Sequence, residues 1–492
     1  MNQLKKLAQD TITYGLSSMV GRLLNYLLVP FYTSVLLPAE YGVITELYAY
    51  LAFLNILYSY GMETTYLKFA TKENASITFS LTNSMLLCTS VVFSSLLIAC
   101  APLIVHSLGY PGKAIYIYLM AVILWGDTFL VLPFARLRLL NKSMQFAKLK
   151  CCQIGMNVLL NILFMYVLPR VSSITTSGLC SISHSHWVVC DHVTYILLAN
   201  VLANISILPW VGIACKDFTY RLEREQVKKI LVYALPLLIM GLAWMINEML
   251  SRVLLKHILP IQLYPGQSKE AVLGIFGACY KLTMLMALAM QAFRYAVEPF
   301  FFKHAVEKES LPLFSKVMQA YILIGCWVWF AISVNVELLA LIFLRNPAYR
   351  AGIHIVPYLT LSYLWLGIYY NLSIWFKVVN KNYYGTIITT IGAGVTILLN
   401  VCLVPYLGYM GSVCATLCSY ISMAVICFYQ GQKHYPVPYK AGNGLLIIGI
   451  TGMLIMIIRQ LHYPQLLHTI VSNITVTVIA GGVAYAYLRK SA

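Results

Sequence analysis

The sequence predicts an all-α polytopic membrane protein of about 14 transmembrane helices, and three observations carry that expectation. Of 492 residues, 60% are hydrophobic and only 10% are charged, against about 25% charged in soluble domains. The mean hydropathy is +0.78. Apolar stretches recur along the chain, separated by short polar links. Each is long enough for the roughly 20 residues that carry a helix across about 30 Å of hydrocarbon.

Spans are predicted at 11–37, 42–62, 77–105, 114–134, 149–169, 193–215, 230–259, 271–297, 316–344, 353–376, 384–406, 409–430, 442–461 and 466–488. An even number places both termini on one side. The basic residues fix which side, because Lys and Arg accumulate in cytoplasmic loops. One set of links holds Lys68 and Lys72, then Arg136, Arg138, Lys142, Lys148 and Lys150, then Lys216 to Lys229. The same set continues with Lys303, Lys308, Lys316, Lys377, Lys381, Lys433 and Lys440. The opposite links hold only Lys113, Arg170, Lys256, Lys269, Arg345, Arg350 and Arg459. The first set, with both termini, is therefore expected in the cytoplasm. This distribution also accounts for the net charge of +18 as topology and excludes a nucleic-acid patch. Lys5 and Lys6 precede a polar stretch with no small-residue cleavage pattern, so the first span is expected to remain as an anchor.

No link is long enough for a soluble catalytic domain, and no Walker loop, HExxH or nucleophile elbow occurs. This argues against an enzyme such as an oligosaccharide polymerase or ligase. The segment 216–229 (within KDFTYRLEREQVKKI) is expected as a cytoplasmic amphipathic linker. Most of the 13 cysteines lie inside apolar runs, where they act as small hydrophobes. The external link carries Cys180, His184, His186, Cys190 and His192. Its donor types suit zinc or a Cys180–Cys190 disulfide, but the spacing fits neither strong motif, and an ordinary variable loop is the favoured reading.

Four echoes in the same order suggest a duplication. Gly42 precedes Glu63 by the interval that separates Gly277 from Glu298, and Glu63-x4-Lys68-x-Ala70 is echoed by Glu298-x4-Lys303-x-Ala305. Leu124-Trp125 before Asn141-Lys142 matches Leu364-Trp365 before Asn380-Lys381, and Ile-Gly-x-x-Val recurs at Ile154 and Ile391. Spans one to six thus correspond to spans seven to twelve in the same direction. The expected domains are a bundle at 1–215, the linker at 216–229, a bundle at 230–430 and two added helices within 442–488.

LLPAEYGVITELYAY and YGMETTYLKFA resemble the amino-terminal signature of the polysaccharide transporter family in the MOP flippase superfamily. GLAWMINEMLSRVLLKHILP, GIFGACYKLTMLMALAMQAFRYAVEPFFFKHA, GIYYNLSIWFKVVNK and LVPYLGYMGSVCATLCSY resemble its second half. The resemblance covers nearly the whole chain. It implies two pseudo-symmetric six-helix bundles (MATE/MOP-like) that open alternately to either side, plus two C-terminal helices. It also implies a flippase for polyprenyl-pyrophosphate-linked oligosaccharide, serving cell-surface polysaccharide such as the O-antigen of lipopolysaccharide in a bacterial inner membrane. A MATE-type cation-coupled drug exporter and a peptidoglycan-precursor flippase share that fold and stand as alternatives. Relatives commonly carry Asp-Arg where this chain has Ser251-Arg252, which leaves that point without the family's carboxylate. The segment from Ser172 to Asp191 is longer than is usual in the family.

Charges inside a span cost about 2.5–3.5 kcal/mol on insertion scales, so each needs a reason. The embedded set is Arg22, Glu46, Asp127, Glu248, Arg252, Lys281, Arg294 and Glu298. A diphosphate crossing the membrane needs replacement solvation, and guanidinium offers phosphate a bidentate fork. Arg22 with Asn25, joined by Arg252, Lys281 and Arg294, is the predicted substrate cavity. Two ion pairs compete with that reading, because Glu248 and Arg252, like Arg294 and Glu298, stand four residues apart on one helix face. Glu46, Asp127, Glu248 and Glu298 are the candidates for ion coupling or gating. Glu46 also fits a helix start, where the dipole favours an anion. Most of the 36 tyrosines and 8 tryptophans are read as interfacial or packing residues. Pro30, Pro236, Pro299 and Pro357 mark expected kinks. The expected partners are the lipid-linked oligosaccharide, membrane lipids and polysaccharide polymerase or export machinery, with no nucleic acid. No cofactor is expected beyond H+ or Na+ coupling, and a monomer is the default.

Overall fold

The computed structural model describes residues 23–24, 26–71, 74–140, 142–167, 191–214, 218–304, 310–379, 381–460 and 472–482. Among these residues the chain is all helical, and twelve helices are long and apolar enough to cross a membrane. In chain order the helices are α1 (Tyr26–Val35), α2 (Pro38–Phe69), α3 (Ala75–Ala99), α4 (Ala114–Leu139), α5 (Met144–Val167), α6 (His192–Gly212) and α7 (Arg224–Ile258). They continue with α8 (Lys269–Tyr295), α9 (Leu311–Val334), α10 (Pro347–Val378), α11 (Tyr383–Leu407), α12 (Tyr409–His434) and α13 (Ala441–Gln460). A last helix, α14, covers 472–482. Twelve of the 14 predicted spans are thus found as candidate membrane helices, in the predicted order; at the first and last predicted positions the described residues form only the shorter helices 26–35 and 472–482.

Large apolar side chains face outward as freely as inward. Leu103 is 70% exposed, Met453 68% and Trp210 63%, the inverse of a water-soluble surface and the pattern lipid contact requires. Several helices carry breaks with identifiable causes. α2 bends at Tyr60 and Gly61, whose φ values are 28° and 72°. A Cβ on Gly61 would also lie 2.7 Å from Leu237 Cβ, so this position excludes larger residues on two counts. α5 ends in a π-turn over Leu163–Val167. Pro357, expected at a kink, falls in the first turn of the α-helical part of α10, Val356–Leu372, which follows a 3-10 segment. There its missing N–H costs nothing.

By contacts the chain divides into two compact units, one drawn from 1–28 and 47–242, the other from 29–46 and 243–492. In the first, α2, α3, α4 and the start of α7 surround Tyr66, Phe79, Leu132, Ile230 and Ala234. A second cluster, Leu130, Phe134, Leu137, Ile207 and Val211, joins α4 to α6.

The second unit includes the end of α1 and the start of α2, a stretch the sequence reading placed with the amino-terminal bundle. Glycines explain the attachment. A Cβ on Gly274 of α8 would fall 1.9 Å from the Pro38 carbonyl oxygen, and one on Gly42 would fall 1.8 Å from that of Glu270. A Cβ on Gly277 would meet Thr45 Oγ1 at 2.6 Å. Gly42 and Gly277, paired in the internal repeat, therefore lie in the same crossing of α2 and α8. Thr33 Oγ1 donates to the Phe343 carbonyl at 2.7 Å, and Tyr349 Oη donates to the Leu36 carbonyl at 2.9 Å. These bonds tie the α1–α2 corner to the segment entering α10.

Candidate functional site

The second unit holds a polar centre built from α7, α8, α10 and α12. Glu248 of α7 accepts from Tyr363 Oη at 2.6 Å on one oxygen and from Tyr420 Oη at 3.0 Å on the other. Tyr363 Oη lies 3.0 Å from Tyr280 Oη. One turn on from Glu248, the Arg252 guanidinium stacks 4.2 Å from the Tyr280 ring centroid and touches the Met249 sulfur. The expected Glu248–Arg252 ion pair is therefore not formed. The four-residue spacing puts both on one face, but two tyrosines satisfy the carboxylate and an aromatic face receives the cation. Lys281 follows Tyr280 on α8, within electrostatic reach of Arg252 and Glu248. Among the described residues no carboxylate comes within 4 Å of Arg252 or Lys281.

Behind this centre lies a neutral network. Asn247 accepts from Thr396 at 2.9 Å and Ser419 at 3.1 Å, and donates to the Thr389 carbonyl at 3.0 Å. Asn400 donates to Ser251 at 3.1 Å and accepts from Ser412 at 2.9 Å. Ser251, where the family resemblance would place an aspartate, is thus joined to an amide and hydroxyls. Buried amides satisfied this completely fix helix register without introducing charge.

Arg294, also on the second unit, stands 4.9 Å from the Tyr370 ring centroid. With Asn371, Ile374 and Lys377 it lines a small cleft of about 20 Å³. The side chain of Glu298, its predicted partner, lies outside the described residues, as do Arg22, Asn25, Cys180, His184, His186 and Cys190.

Glu40 is the acidic residue in the first turn of α2, whereas Glu46 is fully buried and stands about two turns in, past the helix start where the dipole would favour an anion. Its Oε2 lies 2.7 Å from Lys256 Nζ, and His257 Nε2 stands 3.8 Å from its Oε1. Lys256 also approaches Glu270 at 3.6 Å. Its side chain is only 7% exposed. Counted from the sequence as a loop residue, Lys256 instead closes the last turn of α7 and neutralises the carboxylate from α2.

Asp127 belongs to the first unit. Its Oδ1 accepts from Asn204 Nδ2 at 2.8 Å and its Oδ2 from Asn55 Nδ2 at 3.4 Å. Lys150 Nζ donates to Gln153 Oε1 at 3.0 Å, and Gln153 Nε2 donates to Asn204 Oδ1 at 2.6 Å. The carboxylate and the ammonium are thereby joined through two amides. Glu63 and Arg138 form a separate ion pair.

The profile of the family described as "Polysaccharide biosynthesis protein" matches residues 7–305, more than half of the chain. The chain belongs to this family. Among solved structures, this polysaccharide biosynthesis protein is similar to the lipid II flippase MurJ in an inward closed conformation. The TM-score is 0.72 at 12% identity, covering 97% of this chain and 99% of MurJ. It is also similar to a multidrug resistance MATE family transporter of the MOP superfamily. For the inward-facing form the TM-score is 0.62 at 14% identity, with 86% and 94% covered. For an outward-facing form it is 0.55 at 17%, with 87% and 95% covered. No curated protein sequence matches the chain. At these identities the likeness establishes the fold, one shared with MurJ and these transporters.

Sequence reasoning missed the partners more than the charges. Tyr280, Tyr363 and Tyr420 were grouped with packing aromatics, and Lys150 and Lys377 with topology signals. One signal was available: Asn55, Gln153 and Asn204 are amides inside apolar runs, and such groups need partners in hydrocarbon.

Proposed function

We propose that this protein is a flippase that carries a polyprenyl-pyrophosphate-linked oligosaccharide from the cytoplasmic to the outer leaflet by alternating access. In this reading it serves cell-surface polysaccharide synthesis in a bacterial inner membrane, with both termini cytoplasmic. The family supports polysaccharide synthesis, and the fold supports transport. The observation that carries the substrate class is the state of Arg252 and Lys281. The Glu248 oxygens are taken by two tyrosine hydroxyls and neither cation is in contact with them, so one carboxylate and two cations leave a net positive charge and open N–H donors for a ligand that brings its own anion. A diphosphate is such a ligand, and guanidinium and ammonium replace the water it loses. An organic-cation exporter would need the reverse, a carboxylate left open beside satisfied cations.

The test uses proteoliposomes containing a polyprenyl-pyrophosphate-linked oligosaccharide, with lectin capture of the sugar arriving on the far leaflet. Arg252→Gln and Lys281→Gln, each inserted and monodisperse, are expected to slow capture at least about tenfold, the loss of roughly 1.4 kcal/mol of interaction with the moving headgroup. Capture at the wild-type rate by both variants would overturn the reading. Capture of a lipid-linked peptidoglycan precursor in preference to the oligosaccharide would assign the protein to the alternative substrate.

A further inference from the structure

The neutral network around Asn247 and Asn400 leaves the amide-bridged carboxylate of the first unit as a distinct kind of polar site. We propose that Asp127 is a proton-binding site of the transport cycle, that Lys150 is its tethered counter-charge, and that the site takes H+ and excludes metal cations.

The ends of the relay fix its polarity. An ammonium only donates and a carboxylate only accepts. Lys150 therefore requires Gln153 to present its oxygen, which turns the Gln153 amide nitrogen toward Asn204. Asn204 must then accept with its oxygen and donate to Asp127 with its nitrogen. The observed contacts at 3.0, 2.6 and 2.8 Å follow this one direction. Four helices contribute: Asn55 from α2, Asp127 from α4, Lys150 and Gln153 from α5, and Asn204 from α6.

This arrangement selects the ligand. Hard metal cations need several oxygen ligands arranged around them. Here N–H groups of Asn55 and Asn204 point at the carboxylate, and the oxygens of Gln153 and Asn204 are already committed. A metal ion would meet donors where it needs lone pairs. A proton needs one lone pair, and Asp127 Oδ2 supplies it, since its bond from Asn55 is the weaker at 3.4 Å. The step is a simple addition. One H+ from water joins Oδ2, the Asn55 N–H is released, and Lys150 keeps its charge.

The consequence follows from charge. Among the described residues the other groups about the relay are Glu63 and Arg138, which pair with each other, and Tyr48, which accepts from Asn200 at 3.2 Å. Phe134 lies 4.9 Å beneath the Lys150 ammonium. With Asp127 ionised, the two carboxylates and two cations cancel. With Asp127 protonated, the cluster carries one net positive charge, located on Lys150. A proton thus makes the first unit attractive to an anion, and by linkage an anion makes it attractive to a proton.

The binding claim can be tested without any substrate. In nanodiscs, infrared difference spectra between mildly alkaline and mildly acidic pH are expected to show a protonated-carboxyl stretch. It should vanish in Asp127→Asn, shift in frequency in Asp127→Glu, and stay unchanged when sodium replaces choline. A band that persists in Asp127→Asn, or that sodium abolishes, overturns the proposal. The coupling claim rests on the flippase reading. In the proteoliposome assay a pH gradient should stimulate wild-type capture and leave Asp127→Asn unstimulated, and an undiminished response in that variant overturns the coupling. If the wild type moves no lipid-linked oligosaccharide, the flippase reading fails, while the infrared titration still decides the proton site.

Discussion

Removing one partner of the Glu46–Lys256 pair should be far more damaging than removing both. The Nζ–Oε2 distance is 2.7 Å, and the side chains are 7% and 0% exposed. At an effective dielectric constant near 20, unit charges at that distance attract by about 6 kcal/mol, most of which offsets their desolvation. In Lys256→Met the buried Glu46 carboxylate loses the ammonium that stood 2.7 Å away, while His257 stands at 3.8 Å. The expected loss is about 3–5 kcal/mol. Glu46→Gln should lose a comparable amount, because Lys256 loses its 2.7 Å carboxylate and Glu270 stands farther off, at 3.6 Å, and part-exposed. The double variant Glu46→Gln/Lys256→Met removes both charges of the pair together and should be more stable than either single variant. The assay is thermal inactivation in detergent, read as the surviving monodisperse peak, for all four corners of the cycle. If the double variant loses the sum of the two single losses, the residues act independently, and the buried-pair account fails. Single losses below about 1 kcal/mol would place the pair with exposed salt bridges and refute the burial argument.

Three further outcomes follow from the same geometry. Tyr363→Phe and Tyr420→Phe each remove a hydroxyl from the Glu248 carboxylate and should each lower stability by about 1.5–3 kcal/mol in the same assay, with the double variant worse than either. Gly274→Ala would drive a Cβ to within 1.9 Å of the Pro38 carbonyl and should strip the monodisperse peak, whereas Gly394→Ala, with open space around it, should not. Asp191 precedes α6, outside the membrane-spanning segments. Burial pulls its carboxyl upward, but hydrogen bonds from Thr194, Tyr116 and Lys113, with the Lys113 charge, outweigh it and hold it below the usual carboxylate range. Its contribution is therefore full above the ordinary aspartate value of about 4 and is lost only as pH falls through the depressed one. The stability gap between wild type and Asp191→Asn should be constant at neutral and weakly acidic pH and close only below that range. A gap already closing near neutrality would refute the assignment.

The spans were legible because hydrocarbon imposes one condition on every helix, a long apolar run, whatever that helix packs against. Gly42 and Gly277 were also legible as a repeated pair, although the sequence held no reason for the repetition. The crossing of α2 and α8 supplies that reason: a Cβ on Gly42 would strike the Glu270 carbonyl, and one on Gly277 would strike the Thr45 side chain. Partners were not legible, because helix periodicity relates residues on one helix and says nothing about the helix opposite. Glu248 and Arg252 share a face, yet what decides their pairing is that Tyr363 and Tyr420 arrive from α10 and α12. Lys256 sits at the edge of an apolar run, where a loop lysine and a buried counter-ion look alike. Only contact with Glu46, 210 residues earlier, separates the two.

The two carboxylate–lysine pairs differ in a way that assigns them different work. Glu46 and Lys256 touch, so neither can change charge without exposing the other, and the pair is best suited to holding α2 against α7. Asp127 and Lys150 do not touch; Gln153 and Asn204 stand between them. Amides accept and donate at once, so they relay the field of the lysine while leaving Asp127 Oδ2 only weakly capped. Protonation there breaks one long hydrogen bond and leaves the Lys150–Gln153–Asn204 links in place. A site that gains and loses a proton, as proposed for Asp127, needs that separation. Replacing Gln153 with Leu should therefore stiffen nothing and break the relay: the carboxyl band of Asp127 should persist, but its midpoint should no longer respond to Lys150→Gln. A response of the same size in both backgrounds would mean that the lysine acts through space alone and that the amides have no part in the coupling.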